Sequence, residues 1–216
     1  MKTKMYQKGF TLVELLVVIT IIAILASVSV PVFSTIQRKG KLSKSLQQAK
    51  QIAIALRSYA GDSGGLYPAG DSANKALAKV VPDIESEEIF YVAGCPWHGT
   101  GKFVQGPDNL WETSKPQTGK ALEAGENHYA YAQGFNDSTS ARFPLLASGF
   151  TSGQTGTYTD DPTQPGGVWG GKNAVVIYCD GSGDSPKLSP EFKFIDQNDQ
   201  DVFQMQGLKM VNPEQG

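Results

Sequence analysis

The sequence has few of the residues on which most catalytic and metal sites depend. Of its 216 residues, two are cysteine and two are histidine. Two cysteines exclude a disulfide-dense scaffold and a zinc site with four thiolate ligands. The signatures of serine hydrolases, zinc proteases, phosphate-binding loops and dinucleotide-binding folds are also missing. A formal net charge of -2 excludes a generally basic nucleic-acid-binding protein. We therefore predict that the protein is not an enzyme and does not bind nucleic acid.

Acidic residues are almost missing from the first 60 residues. Residues 1–9 carry three lysines and no acid, and residues 10–33 carry a single charge, Glu14. Residues 34–60 carry six bases and no acid, whereas residues 61–216 carry 20 carboxylates against 10 bases. The chain therefore consists of a basic N-terminal part and an acidic C-terminal part, which the net charge alone conceals.

The apolar run from Phe10 to Phe33 is long enough to cross a membrane. As a helix, these 24 residues would span about 36 Å, against a hydrocarbon core of about 30 Å. We predict a single-pass segment with the large domain in the periplasm or outside the cell. A secretory signal peptide or a plain anchor would show the same order of basic and apolar residues. Neither explains Glu14, because a carboxylate in hydrocarbon costs free energy.

A motif at the start of the apolar run carries a specific resemblance. The residues Lys8-Gly9-Phe10-Thr11-Leu12-Val13-Glu14-Leu15-Leu16 resemble the N-terminus of type IV pilins and type II secretion pseudopilins. The resemblance implies that a prepilin peptidase cuts after Gly9, that Phe10 becomes the N-methylated terminus, and that Glu14 is the carboxylate used in assembly. Pairing Glu14 of one subunit with the Phe10 amine of another would offset the cost of placing both charges in hydrocarbon.

The basic residues 34–60 show the period of an amphipathic helix. The apolar positions recur at steps of three and four: Leu42, Leu46, Ala49, Ala53, Leu56 and Ala60. The bases lie mainly on other faces of this helix. Two alternatives remain open for them: a solvated surface, or a contact with the acidic heads of neighbouring subunits.

The predicted fold class is α+β, with a long transmembrane-plus-amphipathic helix packed on a small antiparallel sheet. We divide the chain into a leader, 1–9, a transmembrane half-helix, 10–33, an amphipathic half-helix, 34–60, and a globular head, 61–216. The head has one helix signal, Ser72–Val81, and a possible helical turn near Gly119–Ala124. Strand-like runs are Ile89–Ala93, His128–Ala132, Phe143–Ala147, Ala174–Cys179, Phe192–Ile195 and Val202–Gln206.

The two cysteines, Cys95 and Cys179, are candidates for a disulfide in an oxidising compartment. The alternative is two separate buried thiols, because the sequence does not show whether the two segments meet. A zinc site that adds His98 and His128 to the cysteines is a weaker hypothesis, since the spacing of these residues is not that of known zinc motifs.

The sequence Asp180-Gly181-Ser182-Gly183-Asp184 alternates oxygen donors with glycines, as calcium loops do. The family resemblance also implies calcium, which major pseudopilins often hold late in the head. We therefore predict a calcium site at Asp180, Ser182 and Asp184, with a simple turn as the alternative. No cofactor is required.

The preferred interpretation is a structural subunit of a type II secretion pseudopilus-like filament. The alternatives are a type IV pilus subunit, or a minor subunit whose head is a binding module. The resemblance implies four partners: further copies of the chain, a prepilin peptidase, an inner-membrane assembly platform and other pilins or pseudopilins. It also implies a single-pass inner-membrane protein whose head lies in the periplasm, or on the cell surface if the filament is a pilus.

Overall fold

A computed structural model describes residues 10–84, 86–92, 95 and 121–214. The first helix, α1, spans Leu12–Asp62 and confirms the long helix expected over residues 10–60. The chain divides into two compact units, and the division between Gly40 and Lys41 falls inside α1. The expected leader, residues 1–9, lies outside the described residues.

In the first unit, the apolar side chains of α1 are exposed. Every large apolar residue from Phe10 to Leu25 exposes between 45% and 80% of its surface. The hydroxyl of Thr20 donates a hydrogen bond of 2.7 Å to the Leu16 carbonyl, which satisfies this polar group within the helix. Between Phe10 and Leu25, the surface of the helix is therefore almost entirely apolar.

None of the helices in the described part of the chain combines the length and the apolarity that a membrane crossing needs.

In the second unit, the later part of α1 forms one side of the core. Ala49 and Leu56 are fully buried, and Leu42, Ala53 and Ala60 are nearly so. This confirms the apolar period expected from the sequence. Buried residues between these positions, Ile52 among them, widen the apolar face beyond a narrow stripe.

Two short helices follow α1. Helix α2 spans Ala73–Leu77 and α3 spans Val81–Ile84, and a 3-10 turn, Ala78–Val80, joins them. Ser72 is the N-cap of α2, because its hydroxyl accepts a hydrogen bond of 3.2 Å from the Lys75 N–H. The helix expected over Ser72–Val81 is therefore confirmed, as two shorter pieces.

The sheet has five antiparallel strands in the order β4-β3-β2-β1-β5. The strands are β1 Tyr129–Ala132, β2 Pro144–Ser148, β3 Val176–Tyr178, β4 Gly183–Asp184 and β5 Met210–Val211. The central pair β1–β2 places Tyr129 opposite Ser148 and Tyr131 opposite Leu146. Both strands are buried along their whole length, so other elements cover both faces of the sheet centre.

Helix α1 lies against one side of this sheet. The Tyr129 hydroxyl donates to the Ser45 carbonyl at 3.0 Å and accepts from the Ser45 hydroxyl at 2.7 Å. Farther along α1, the Arg57 guanidinium donates to the Cys179 carbonyl just after β3. The expected α+β arrangement, a helix packed on a small antiparallel sheet, is confirmed.

A cluster of aromatic rings completes the core. Phe150 packs edge-on against Tyr158 and Phe203, with ring centroids 5.4 and 4.9 Å apart. Trp169 is buried, and its ring N–H donates to the Ser148 hydroxyl at 3.1 Å. The Gly- and Thr-rich loop after β2 is therefore anchored by these rings.

Three of the expected strands are wrong. The run Ile89–Ala93 instead begins in a 3-10 turn, Glu88–Phe90, and Val202–Gln206 begins in another, Val202–Gln204. The Asp201 carboxylate initiates the second turn by accepting the Phe203 N–H at 3.0 Å.

The third wrong strand is Phe192–Ile195, which makes only isolated bridges, Lys193 to Thr157 and Ile195 to Asp201. Phe192 has a φ of +59°, outside the extended region that a strand requires. Of the possible turn near Gly119–Ala124, the described residues 121–124 are not helical.

Candidate assembly site

The N-terminus of α1 is closed by a reciprocal pair of side-chain hydrogen bonds. The Thr11 hydroxyl accepts the Glu14 N–H at 3.2 Å, and Glu14 Oε2 accepts the Thr11 N–H at 2.8 Å. The Thr11 hydroxyl also donates to Glu14 Oε2 at 2.7 Å. This is a capping box, which satisfies N–H groups that have no partner within the helix. The box fixes the start of α1 at Leu12.

Our sequence reasoning assigned Glu14 to assembly and missed this capping role. The signal was present, because a threonine followed three residues later by a glutamate before an apolar run is the sequence pattern of a capping box. The carboxylate therefore has a structural function within one chain in addition to any contact with another.

Phe10 and Glu14 lie together at the exposed end of an apolar helix. Phe10 is 77% exposed, and Leu12 and Val13 beside it are 80% and 68% exposed. A negative charge on Glu14, surrounded by uncovered apolar side chains, is chemically suited to bind a cation presented on another apolar surface. Gly9, the expected cleavage position, lies outside the described residues.

The expected calcium loop has its oxygens engaged in turn hydrogen bonds. Asp180 Oδ1 accepts the Ser182 hydroxyl at 2.5 Å and the Ser182 N–H at 2.7 Å, and both bonds lower the pKa of Asp180. Asp184 Oδ1 accepts the neighbouring Ser185 N–H at 2.6 Å. Within the described ranges, no three or more His, Cys, Asp or Glu residues form a group that could hold a metal ion. The calcium site stays a prediction from the sequence.

Cys95 and Cys179 are both buried, and the structure does not join them in the disulfide considered from the sequence. The Cys95 N–H donates to the Val92 carbonyl, and the Val92 N–H donates to His128 Nδ1, next to the start of β1. The Cys179 N–H donates to the Phe143 carbonyl, next to the start of β2. Because β1 and β2 are antiparallel, these points lie at opposite ends of the sheet. Four residues of strand separate these two points by roughly 13 Å, so the two cysteines are attached beside opposite ends of the sheet.

The same geometry separates the residues considered for zinc. His128 and Cys179 lie at opposite ends of β1 and β2, and His128 Nδ1 already accepts the Val92 N–H at 3.0 Å. His98 lies outside the described residues. Burial raises the pKa of the Cys179 thiol to about 11, so the thiol is protonated near pH 7.

A cleft with acidic walls opens beside β3 and β4. Its volume is about 620 Å³, and Asp180, Asp196 and Arg142 contribute to its lining. Tyr178 is half-buried there, and burial and the carboxylates of Asp184, Asp180 and Asp196 together raise its pKa. The carboxylates around Tyr178 therefore outnumber Arg142, the guanidinium that lines the same cleft.

The N-terminus matches one family model. The family described as the prokaryotic N-terminal methylation motif covers residues 4–30. This range includes the capping box and most of the exposed apolar run, so the match coincides with the candidate assembly site.

Curated relatives extend the similarity beyond the motif. The chain is 36% identical over 91 residues to fimbrial protein EcpC of Eikenella corrodens, which is 42% of this chain and 59% of that protein. It is 43% identical over 60 residues to prepilin peptidase-dependent protein D of Escherichia coli (strain K12), covering 28% of this chain and 41% of that one.

It is also 30% identical over 112 residues to type IV major pilin protein PilE1 of Neisseria gonorrhoeae, covering 49% of this chain and 62% of the pilin. The chain thus spans less than two thirds of the length of each of these relatives. No solved structure matches it significantly.

Proposed function

We propose that the chain is a filament subunit of the type IV pilin and pseudopilin family, from its N-terminal methylation motif and its similarity to pilins. It is made with a leader, cut between Gly9 and Phe10, methylated at Phe10 and polymerised through α1. The role is structural, and we propose no enzymatic activity.

The exposed apolar surface of α1 is the observation that carries this proposal. Every large apolar residue from Phe10 to Leu25 is uncovered in the single chain. An apolar surface of this extent on a protein marks a site of interaction with another protein or with lipid. A membrane before assembly, and the helices of neighbouring subunits after it, would both supply the missing cover.

Glu14 gives the proposed assembly its register. A carboxylate in an apolar bundle is costly unless a cation pairs with it. The amine that cleavage would create at Phe10 of a neighbouring subunit is such a cation. One polar pair in an apolar contact also selects a single axial alignment, as buried polar residues do in coiled coils.

The proposed partners follow from this route. A prepilin peptidase removes the leader, an inner-membrane platform adds subunits, and further pilins or pseudopilins complete the filament. The subunit is anchored in the inner membrane through residues 10–33 before it is assembled, with its head in the periplasm or on the cell surface.

Two kinds of filament fit the proposal. The length of the head and its Asp-Gly turn after a late strand favoured a type II secretion pseudopilus. The names of two of the relatives, a fimbrial protein and a type IV major pilin, favour a surface pilus. The location of the assembled filament separates the two.

The test is mass spectrometry of the N-terminal peptide in a sheared surface fraction and in the membrane fraction. We expect a peptide that begins at methylated Phe10. Its abundance in the sheared fraction would identify a surface pilus, and its confinement to membranes would identify a short pseudopilus. A chain with residues 1–9 still attached in both fractions would refute the proposal.

Glu14→Gln is the matched variant for assembly. Glutamine keeps an oxygen that can accept the Thr11 N–H but removes the charge. We expect processing at Phe10 to be unchanged and the yield of filament to fall at least about tenfold, because an isolated buried ammonium costs several kcal/mol. Filament yield equal to wild type would show that Glu14 serves only as a helix cap.

A further inference from the structure

The outer side of α1 in the second unit presents an uncovered surface of one charge sign. We call it the basic face, and it comprises Lys41, Lys44, Gln47, Gln51, Ile54 and Ser58. Residues three and four apart lie on the same side of a helix, and all six are exposed. Ile54 is 68% exposed, an unusual position for a large apolar residue beside charges.

The lysines of the basic face have no ion-pair partner among the described residues. At the edge of the helix, Lys50 and Arg57 lie against the chain's own turn between β3 and β4, where Arg57 donates to the Cys179 carbonyl. Lys41 and Lys44 lie farther round the helix and take part in no ion pair with the described residues. Their charge is therefore available to another molecule.

An acidic surface of matching chemistry lies on the same unit. We call Asp180, Asp184 and Asp196 the acidic face. Asp180 and Asp196 line the cleft beside β3, and Asp184 ends β4. The hydrogen bonds of Asp184 and Asp196 come from neutral N–H groups of the turns that contain them. Neither carboxylate is in an ion pair with any described residue, and Arg142 is the basic residue that lines the same cleft.

Neither the basic face nor the acidic face can pair with the same face of another copy. Two basic faces brought together would place lysines against lysines, and two acidic faces would place carboxylates against carboxylates, both of which are repulsive. The basic face of one copy against the acidic face of the next is attractive. A heterologous contact of this kind can repeat from copy to copy, as an open filament requires.

We propose that the basic face docks against the acidic face of a second copy of this chain, with Lys41 and Lys44 against Asp184 and Asp196. The proposal rests on the function as a filament subunit and adds a contact between the second units of successive copies. This contact is separate from Glu14 and from the apolar half of α1. Ile54, about 15 Å farther along the helix than Lys44, adds an exposed apolar side chain to the same face.

A charge-swap experiment in the full chain, expressed with its peptidase and platform, tests the pairing. Lys41→Glu/Lys44→Glu and Asp184→Lys/Asp196→Lys should each lower the yield of polymer at least about tenfold, because each places like charges in contact. The variant that combines all four changes restores opposite charges and should recover polymer to within about threefold of wild type. Raising the salt concentration should weaken wild-type polymer, because these pairs lie at the surface.

Two controls separate the contact from general effects of charge and folding. Lys187→Glu/Lys209→Glu makes the same charge change at exposed lysines outside α1 and should leave polymer yield unchanged. A mixture of chains carrying Lys44→Cys and chains carrying Asp184→Cys should form a disulfide-linked dimer, seen on a non-reducing gel, only when the faces meet. Because each chain carries one of the two new cysteines, this bond can form only between copies.

The outcomes distinguish this contact from the proposed function. Wild-type chains that are processed at Phe10 but never polymerise would refute the filament and the contact together. Filaments that tolerate Lys41→Glu/Lys44→Glu at wild-type yield, or that give no Lys44→Cys to Asp184→Cys dimer, would refute the contact and leave the filament standing. If the variant with all four substitutions yields no more polymer than either double variant, the contact would also be refuted.

Discussion

At the scale of single residues, two buried tyrosine hydroxyls differ in whether they are hydrogen-bonded. The Tyr129 hydroxyl has two hydrogen bonds to Ser45, whereas the Tyr158 hydroxyl is buried without a partner among the described residues. Burial, together with the negative charge of Asp201, raises the pKa of Tyr158 well above its usual value. Tyr158 is therefore neutral near pH 7, and its hydroxyl contributes a desolvation cost without a compensating bond.

We expect Tyr158→Phe to stabilise the protein. The change removes the unpaired hydroxyl and keeps the ring that packs on Phe150 and Phe203. The free energy of unfolding should rise by about 1 kcal/mol. Thermal unfolding of the purified protein measures the change.

Tyr129→Phe is the matched control, since it removes a hydroxyl that is fully bonded. It should lower the free energy of unfolding by about 1–2 kcal/mol. If Tyr158→Phe is as destabilising as Tyr129→Phe, the Tyr158 hydroxyl has a bonding partner in solution, and its description as unpaired is wrong.

At the scale of secondary structure, α1 shows how strongly burial differs between neighbouring positions. Ile52 is fully buried, and Ile54, two residues later, is 68% exposed. We expect Ile52→Ala to lower the free energy of unfolding by about 2–4 kcal/mol, since it leaves a cavity in the core. Ile54→Ala should change it by less than about 0.5 kcal/mol. Thermal unfolding of both variants checks the pair.

Equal losses from the two substitutions would mean that the face of α1 carrying Ile54 is covered in the isolated protein. They would therefore contradict both the burial of the helix and the exposure of the basic face. The comparison needs no assumption about the filament, because it concerns one chain.

The same helix explains which elements could be predicted from the sequence. Its apolar period repeats over several turns, so the burial of Ala49, Ala53 and Leu56 could be predicted. Strands β1 and β2 could be located because they are apolar runs in the sheet centre. Strands β4 and β5 have only two residues each, and pairing with distant strands rather than local preference determines them.

The functional residues likewise include some that could be predicted from the sequence and some that could not. The motif around Glu14 is local, and the sequence was sufficient to single it out. The acidic face was not foreseen, because Asp180 and Asp196 are separated by 15 intervening residues and meet only through tertiary structure. The cysteines illustrate the opposite case: both lie beside strands, yet the antiparallel order of β1 and β2 places them at opposite ends.

At the scale of the whole molecule, the two units differ in whether their apolar residues are covered within one chain. The first unit exposes its apolar residues, and the second buries its own in a core that includes the later part of α1. The division at Gly40 therefore separates a segment that needs other molecules from a segment that carries its own core. A head defined from the sequence as residues 61–216 would lack the helical side of that core.

We expect residues 41–216 to fold alone and to remain monomeric, whereas residues 61–216 should not fold. The shorter fragment loses Ile52 and Leu56, whose burial is worth about 1.5–3 kcal/mol each. It also loses four buried alanines of α1: Ala49, Ala53, Ala55 and Ala60. That loss is comparable with the whole stability of a small domain, about 5–15 kcal/mol. The longer fragment keeps all of these contacts.

Thermal unfolding by circular dichroism and gel filtration of both fragments test whether each one folds and stays monomeric. A cooperative transition in residues 61–216 would show that α1 is not part of the core, and aggregation of residues 41–216 would show that the second unit depends on the first.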